Sequence, residues 1–384
     1  MSAFLSRLCT VFFLITAPLF VATAQTDVFE TTAPHALIMD ADTGIVLFEK
    51  DARRPMAPAS MTKIMTASLV FDRIRDGSIT EDTMLTVSED AWRRGGSASG
   101  SSTMFLRVGS QASVGDLIKG VIIQSGNDAC IVLAEGIAGS EDAFARMMTK
   151  RAKELGLETA EFRNSTGWPD EEHVISAYDL AKLSQYTINE YPEFYALYAE
   201  KSYSWEGRKQ YNRNPLLGRF DGADGLKTGA TEVSGKGLVG SAKQGDTRII
   251  IVVNGLPSTS SRRSESIRLM RAGFNEFKAY TLFNPGDDVA ELDVFMGKSE
   301  TVPVTVKDSV AVGMHKSLRK DMKVRVEYDG PIAAPITAGQ SVGTLIVATP
   351  GKAEQRFDLL AKDSVERKGT MGRLKAGLGS LFGG

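Results

Sequence analysis

The sequence predicts an α+β domain followed by a small all-β domain. Helix-like and strand-like segments are mixed between about residues 36 and 283. After Asn284-Pro285-Gly286 the pattern changes to short strand-like segments separated by Gly, Pro and Asp. The chain has 384 residues, of which 42% are hydrophobic and 24% charged, so it is long enough for about two globular domains.

The α+β region begins with a predicted β-hairpin, in which residues 35–40 and 45–50 flank the turn-forming sequence Ala41-Asp42-Thr43-Gly44. Apolar residues at helical spacing then predict three helices. Two β-branched runs predict strands, and the second run is so continuous that both of its faces should be covered. The helices are predicted over 60–74, 114–123 and 127–137, and the two strands over 237–242 and 248–255.

The region after residue 284 contains five short strand-like runs bounded by turn residues, a pattern typical of a small all-β domain. We therefore divide the chain into an α+β domain (25–284) and an all-β domain (285–361), preceded by residues 1–24 and followed by residues 362–384. The five strands are predicted over 289–295, 301–306, 324–328, 342–347 and 355–360.

The first 24 residues have the features of a cleaved signal peptide. Arg7 precedes an apolar run over 8–21, and Ala22-Thr23-Ala24 matches a small-x-small cleavage site. The run is shorter than the ~20 residues of a membrane span and contains a proline, which disfavours an uncleaved anchor. We expect an exported protein that starts near Gln25, and we expect its remaining cysteine, Cys130, to be a buried core residue.

Residues 362–384 predict a basic amphipathic tail. Its apolar residues lie within about a third of a helical wheel, and basic residues outnumber acidic ones. A helix of this kind binds a membrane surface, whereas the four glycines in the segment favour a disordered tail instead. We expect the membrane-binding helix. The apolar residues are Met371, Leu374, Leu378, Leu381 and Phe382.

Composition argues against two classes of function. The chain has 45 Lys+Arg and 47 Asp+Glu, a net charge of −2, so it lacks the positive field that binds a nucleic-acid backbone. His35, His173 and His315 are far apart, and so are the two cysteines, whereas zinc sites need ligands at short spacings. We therefore expect no nucleic-acid partner, no metal and no other cofactor.

Three short motifs carry the predicted chemistry, and the first is Ser60-Met61-Thr62-Lys63. Residues three apart on a helix share a face, so Lys63 can reach the Ser60 hydroxyl and act as its base. A lysine is a base only when neutral, so its pKa of ~10.4 must be lowered by burial or by a nearby cation. The same spacing recurs at Ser317-Leu318-Arg319-Lys320, which we interpret as surface.

The second motif, Ser125-Gly126-Asn127, offers a second hydroxyl to relay protons and an amide to hold Lys63. The same residues would also serve as a simple turn and helix N-cap. The third motif is Lys227-Thr228-Gly229. We expect Lys227 to supply the cation that lowers the pKa of Lys63, and the small Gly229 to let an extended peptide lie along the strand edge.

S-x-x-K, S-x-N and K-T-G in this order, in an exported chain, are the signature of penicillin-binding proteins and serine β-lactamases. The flanking sequences resemble the low-molecular-mass penicillin-binding proteins that are D-alanyl-D-alanine carboxypeptidases. The second domain and tail resemble their type-five subgroup, so the resemblance covers nearly the whole mature chain. The flanking sequences are those at 58–63, 124–130, 139–144 and 224–231.

This resemblance implies a serine β-lactamase/DD-peptidase-like (transpeptidase-like) fold for residues 25–284. It implies a peptidoglycan pentapeptide as substrate and acylation by β-lactam antibiotics. It also implies a protein peripherally anchored at the periplasmic face of the cytoplasmic membrane, through its tail. The Gly/Ser-rich stretch 95–102 aligns with a mobile loop beside the active site.

The resemblance also implies a role for each site residue. Ser60 would attack the carbonyl of the penultimate D-Ala with Lys63 as base, and Ser125 would pass the proton to the departing D-Ala. Asn127 would orient Lys63 and bind the peptide. The backbone N–H groups of Ser60 and Ala230 would form the oxyanion hole. Thr228 and Thr231 would bind the terminal carboxylate, with Arg262 near it. Lys227 would tune the electric field of the site, and Gly229 would belong to the substrate-binding residues.

The motifs leave related activities open. A DD-endopeptidase would cut cross-links with the same residues, because the choice of leaving group depends on loops and pocket shape. A serine β-lactamase of class A needs the pattern E-x-x-L-N, and Glu161-Phe162-Arg163-Asn164 is one residue too short. A catalytically idle cell-wall binding protein would have lost motif residues that are all present here. The carboxypeptidase reading is therefore favoured.

Overall fold

The computed structural model describes residues 28–370 of the chain. The strands are β1 (His35–Asp40), β2 (Val46–Lys50), β3 (Met84–Thr86), β4 (Gln111–Ser113), β5 (Ser202–Trp205), β6 (Arg208–Tyr211), β7 (Ala223–Thr231), β8 (Gly235–Gln244), β9 (Thr247–Leu256), β10 (Phe277–Phe283), β11 (Ala290–Phe295), β12 (Thr301–Val306), β13 (Val310–His315), β14 (Lys323–Glu327), β15 (Ile332–Ala333), β16 (Ser341–Ala348) and β17 (Gln355–Ala361). The α-helices are α1 (Lys63–Arg75), α2 (Val114–Lys119), α3 (Asn127–Ala138), α4 (Glu141–Glu154), α5 (Ala177–Glu190), α6 (Pro192–Tyr195) and α7 (Thr259–Asn275).

The first domain is built on a five-stranded antiparallel sheet in the order β2-β1-β9-β8-β7. The predicted hairpin is present as β1 and β2. The β-branched run of β9 is buried on both faces, as predicted, because α5 packs on one side of the sheet and α7 on the other. β7 lies at the edge of the sheet and packs against the 3-10 turn over 59–62 that precedes α1.

A helical layer packs against this sheet and contains the larger hydrophobic core of the domain. The helix predicted over 60–74 is present as a 3-10 turn over 59–62 that continues into α1. The helix predicted over 114–123 is regular only to Lys119, because residues 120–124 form a wider π turn. There a side chain on Gly120 would meet Met104 Sδ at 2.4 Å, so the chain approaches its neighbour closely before reaching Ser125.

The second domain is all-β, so the predicted fold class is confirmed. Its main sheet has six strands in the order β14-β16-β17-β12-β11-β15, and all five predicted strands belong to it. Three further strands, β10, β13 and β15, were not predicted. β10 precedes the predicted division at residue 284 yet pairs with β13, so hydrogen bonds link the chain on both sides of that division.

The first residues of the predicted tail are part of the all-β domain. Val365 is 5% exposed within its core and pairs with Ile336, and Arg367 pairs with Gly297. The remainder of the predicted tail and the predicted signal peptide lie outside the described residues. Within residues 28–370, no helix is both long and apolar enough to cross a membrane.

Candidate active site

The 3-10 turn that carries Ser60 packs directly on the backbone of β7. Ala59 adopts the left-handed conformation (φ 49°), which is unusual for a residue with a side chain, and Ser60 follows it in a half-buried position. A side chain on Gly229 would lie 2.7 Å from the carbonyl oxygen of Pro58. This close approach requires glycine at 229, and the predicted role of Gly229 in admitting a peptide at the strand edge stays a prediction.

The Lys63 ammonium group joins the first two motifs. Its Nζ donates to Ser60 Oγ at 3.0 Å, to Asn127 Oδ1 at 2.8 Å and to the carbonyl oxygen of Thr166 at 2.6 Å. Lys63 is only 1% exposed. All three partners are uncharged, so a neutral Lys63 can donate its two N–H groups to Asn127 Oδ1 and the Thr166 carbonyl oxygen and accept from the Ser60 hydroxyl, without leaving a carboxylate unpaired.

The electrostatics of the site favour a neutral lysine. Burial lowers the pKa of Lys63, and the Arg213 guanidinium lowers it further against the opposing carboxylates of Glu141 and Asp128. Burial also lowers the pKa of Lys227 well below its ordinary value, with Lys63 and Arg213 adding to the effect. Arg213, which the sequence analysis missed, thus acts on Lys63 as a nearby cation, and the predicted electrostatic coupling between Lys227 and Lys63 is present as well. A single arginine between two asparagines has no motif that would have identified it.

The Gly/Ser-rich loop of residues 96–102 covers this centre. Asn127 Nδ2 donates to Ser101 Oγ at 3.1 Å, and the backbone N–H of Asn127 donates to the carbonyl oxygen of Ser102. Arg213 Nη1 donates to Ser102 Oγ at 2.6 Å. Ser125, in the left-handed conformation (φ 67°), is 3% exposed beneath the loop. The second motif is therefore more than a turn, because it connects Lys63 with the covering loop.

The third motif and Arg262 form a wall of the candidate active site. Thr228 is 7% and Arg262 is 6% exposed, and Arg262 Nη1 lies 3.5 Å from the carbonyl oxygen of Gly229. Arg262 Nε is buried and has no hydrogen-bond partner among the described residues. Its neighbour Arg263 is exposed, so the structure decides between the two adjacent arginines.

The remaining predicted binding residues lie at the end of β7. Ala230 is exposed, and the Thr231 hydroxyl donates to Ser234 Oγ at 2.8 Å. Burial lowers the pKa of Arg262, and the positive charges of Arg213 and Arg263 lower it further. The cation cluster of Lys227, Arg213 and Arg262 favours an anionic group between them.

Comparison with known proteins agrees with this geometry. A sequence profile described as D-alanyl-D-alanine carboxypeptidase matches residues 21–258. The chain belongs to this carboxypeptidase family. A second profile, of the C-terminal domain of penicillin-binding protein 5, matches residues 277–367.

Individual relatives cover both domains. The D-alanyl-D-alanine carboxypeptidase DacC of Escherichia coli is 37% identical over 365 residues, 94% of this chain and 91% of that protein. The crystal structure of the D-alanyl-D-alanine carboxypeptidase DacD from Francisella tularensis has a TM-score of 0.76 at 30% identity, covering 92% of this chain and all of that one. Penicillin-binding protein D2 from Listeria monocytogenes, in its ampicillin-bound form, has a TM-score of 0.56 at 28% identity, covering 64% and 99%.

A buried carboxylate braces the segment next to the carboxypeptidase-family S-x-N motif. Asp128 is fully buried and accepts hydrogen bonds from Thr103 Oγ1 at 2.6 Å and from the backbone N–H groups of Met104 at 2.8 Å and Leu106 at 3.1 Å. Burial raises the pKa of Asp128, and these hydrogen bonds oppose the rise. Asp128 thereby holds Phe105 in the left-handed conformation (φ 69°).

The segment that supplies the Thr166 carbonyl is also braced. Glu141 accepts from the Ser165 backbone N–H at 3.0 Å and from its hydroxyl at 2.6 Å. Thr66 Oγ1 donates to the carbonyl oxygen of Ser165 at 2.6 Å. These contacts position the Thr166 carbonyl, whose role has no sequence signature because every residue has a carbonyl group.

A buried histidine connects the same segment to the nucleophile turn. His173 Nδ1 accepts from the backbone N–H of Arg163 at 3.1 Å, so Nε2 carries the proton and donates to Thr62 Oγ1 at 2.8 Å. Burial lowers the pKa of His173 to about 4, which keeps this tautomer neutral at pH 7. The sequence analysis had not assigned His173 to the site.

The sequence raised three further questions, which concern the free cysteine, the second S-x-x-K sequence and a metal site. Cys130 is fully buried, and burial raises the pKa of its thiol to about 12, so it is a core residue as predicted. The second S-x-x-K sequence lies in a 3-10 turn over 316–321 that has no buried residue, and it is surface as predicted. Residues 28–370 contain no group of three or more His, Cys, Asp or Glu side chains able to hold a metal ion.

Proposed function

We propose that this protein is a serine-type carboxypeptidase that removes the terminal D-Ala from peptidoglycan pentapeptides through an acyl-enzyme on Ser60. The observation that carries the proposal is the position of Lys63, whose buried Nζ contacts Ser60 Oγ in the absence of a carboxylate partner. A neutral lysine at this position takes the hydroxyl proton as Ser60 attacks.

The remaining steps follow from the arrangement around this pair. The substrate carboxylate lies in the cation cluster, and the N–H groups of Ser60 and Ala230 stabilise the oxyanion. Ser125, buried in the second motif, passes a proton to the leaving amine as the C–N bond breaks. Water then hydrolyses the ester and regenerates Ser60. No cofactor is needed for these steps.

The same nucleophile accounts for acylation by β-lactams, whose strained amide resembles the D-Ala-D-Ala end. A family relative has been crystallised with ampicillin bound. We expect intact-protein mass spectrometry to detect one penicilloyl adduct, mapped to Ser60 and absent in Ser60→Ala. Ser317→Ala, which alters the exposed second S-x-x-K sequence, should label normally. Labelling at Ser125 or Ser317 would overturn the assignment, and rapid loss of the adduct would favour a β-lactamase.

Carboxypeptidase activity itself is tested with a pentapeptide. Purified enzyme should release one D-Ala per peptide, detected by mass spectrometry, and Lys63→Met should lower kcat by the ~10²–10⁴ typical of a general base. Full acylation without any D-Ala release would instead indicate a catalytically idle binding protein.

We further propose that the protein is a type-five member of the family, exported and anchored at the periplasmic face of the cytoplasmic membrane. The profile match of its second domain and the basic amphipathic tail support this proposal. A protein truncated after Thr370 keeps the buried Val365 and should be soluble and fully active on small peptides. If it still sediments with membranes, the tail is not the anchor.

A further inference from the structure

One buried carboxylate near Lys63 is not used by the proposed mechanism. Glu141 is the first residue of α4 and is 7% exposed. Its Oε1 accepts from the backbone N–H of Ser165 at 3.0 Å and from the Ser165 hydroxyl at 2.6 Å, and its Oε2 is paired with the guanidinium of Arg94. A buried carboxylate needs such donors around it, so Glu141 fixes the relative positions of the two segments that supply them.

The first of these segments supplies an acceptor of the base. The carbonyl oxygen of Ser165 accepts from Thr66 Oγ1 at 2.6 Å, so the backbone of Ser165 is held at both its N–H and its carbonyl group. The next carbonyl oxygen along the chain, that of Thr166, accepts from Lys63 Nζ at 2.6 Å. Glu141 is therefore separated from an acceptor of Lys63 by one residue of backbone.

The Thr166 carbonyl sets the direction of the lysine lone pair. A neutral amine has two N–H donors and one lone pair in a tetrahedral arrangement. Asn127 Oδ1 and the Thr166 carbonyl oxygen accept the two N–H groups of Lys63, which leaves the lone pair facing the third neighbour. That neighbour is Ser60 Oγ, at 3.0 Å. A displaced carbonyl would turn the amine away from the hydroxyl proton that it takes.

The second segment leads to the other acceptor of Lys63. Arg94 lies in a π turn (Ala91–Gly95) that continues directly into the covering loop of residues 96–102. That loop accepts hydrogen bonds from the side chain and from the backbone N–H of Asn127. The pair of Arg94 and Glu141 therefore joins the start of the covering loop to the segment that supplies the first acceptor.

We propose that Glu141 is a positioning residue for the acylation step, which holds the two acceptors of Lys63 where they direct its lone pair at Ser60. This inference rests on the proposed function, in which Lys63 takes the Ser60 proton. Glu141 acts through its hydrogen-bonded neighbours and not on the substrate itself. Because Ser165 needs only an acceptor oxygen, glutamine at 141 can keep this contact, whereas an apolar side chain cannot.

The negative charge of Glu141 has a separate effect on the same lysine. Burial lowers the pKa of Lys63, and the charge of Glu141 opposes this decrease. Removal of the charge should therefore lower this pKa further and move the rising limb of the acylation rate to lower pH. The ionisable groups that act on Lys63 from the surrounding elements are Cys130, Asp128, Glu141, Arg213, Lys227 and His173.

Two substitutions separate position from charge. Glu141→Gln and Glu141→Met both remove the charge, whereas only glutamine keeps an acceptor for Ser165. Stopped-flow acylation with a chromogenic β-lactam gives the limiting rate, its pH dependence and the Kd of the initial complex. We expect Glu141→Met to lower the limiting rate about tenfold or more and to leave Kd within about twofold, because the reacting groups are misaligned while the binding residues stay in place. Glu141→Gln should keep the limiting rate within about threefold, and the limb should move to lower pH in both variants.

Asp142→Asn is the matched control, because it removes the same charge from the next position of α4, which is exposed. It should change neither the limiting rate nor the position of the limb. Circular dichroism shows whether each variant folds. If Glu141→Met does not fold, Thr66→Val tests the same segment, since it removes only the hydroxyl that donates to the Ser165 carbonyl oxygen. It should lower the limiting rate about threefold or more.

Two results would overturn the positioning role. One is a limiting rate within about twofold of the original in whichever of Glu141→Met and Thr66→Val folds. The other is an equal loss in Glu141→Gln and Glu141→Met, which would assign the effect to the charge and its pairing with Arg94. Absence of both acylation and D-Ala release in the original protein would instead contradict the proposed function.

Discussion

At the scale of single residues, the charge on Arg213 and the burial of Lys63 act together on one titration. Because a nearby cation disfavours the protonated lysine, we expect Arg213→Gln to raise the pKa of Lys63. Less neutral base is then present at pH 7, so the rising limb of the acylation rate against pH should move to higher pH. Stopped-flow acylation with a chromogenic β-lactam measures this limb.

The matched comparison is Lys227→Met, which removes the cation that the sequence had favoured. Burial lowers the pKa of Lys227 well below its ordinary value, and the charge of Lys63 lowers it further, so the two lysines influence each other. Removal of Lys227 should therefore also move the limb to higher pH. An unchanged limb in Lys227→Met would show that Lys227 does not control the base.

His173 makes stability depend on acidity. Its pKa falls from 6.5 in the unfolded chain to about 4 in the folded protein, so between these values the unfolded state binds the extra proton. Stability should therefore fall as the pH drops from 6.5 to 4, by about 3 kcal/mol from this residue. Urea unfolding across this range should show a smaller loss in His173→Gln, whatever its stability at pH 7. His35→Gln is the control, and an unchanged slope in His173→Gln would contradict the assignment.

At the scale of elements, the contact between β7 and the nucleophile turn is a backbone contact. Alanine at 229 would bring its Cβ to 2.7 Å from the Pro58 carbonyl oxygen and 3.2 Å from Met61 Cγ, so the turn and the strand must separate. We expect Gly229→Ala to destabilise the fold by ~1–3 kcal/mol and to lower the acylation rate at least about tenfold.

The control for this change is Gly115→Ala in α2, where the nearest atom lies at 3.4 Å, an ordinary contact. Circular dichroism and acylation kinetics distinguish lost folding from a displaced Ser60. Normal acylation in folded Gly229→Ala would show that the turn tolerates this movement.

At the scale of the whole molecule, Lys352 links the two domains. Its Nζ donates to the carbonyl oxygens of Gly313 at 2.7 Å, Val46 at 3.3 Å and Leu47 at 3.4 Å, which joins the second domain to β2 of the first. A side chain on Gly313 would lie 2.3 Å from the Val46 carbonyl oxygen, so β13 approaches β2 closely at this point. The domains therefore meet through backbone as well as side chains.

Lys352→Met should leave these carbonyl groups without a donor and lower stability by ~1–3 kcal/mol. We expect differential scanning calorimetry to show two separated transitions where the original protein has more closely coupled ones. Acylation should be unchanged, because Lys352 contacts no site residue. Lys307→Met, at an exposed position, is the control. Coupled unfolding in both variants would show that Lys352 does not hold the domains together.

The sequence by itself determined the features that depend on local spacing. Ser60 and Lys63 are one helical turn apart, so their proximity follows from secondary structure alone. The continuous apolar run of β9 predicts burial on both faces, because each of its side chains must leave water whichever way it points. The same reasoning predicted that an all-β domain follows the α+β domain, since the spacing of turn residues changes after residue 284.

Only the tertiary structure decided the features that depend on distant segments. Lys63 and Arg213 are 150 positions apart in the sequence. Neither the burial of Lys63 nor the resulting decrease in its pKa can be derived from the residues next to it in sequence. The Thr166 carbonyl has no side-chain signature, and Arg262 differs from Arg263 only in the direction it faces. A base needs desolvation and a specific set of partners, and both arise when the chain packs, because packing removes water from groups that local sequence leaves exposed.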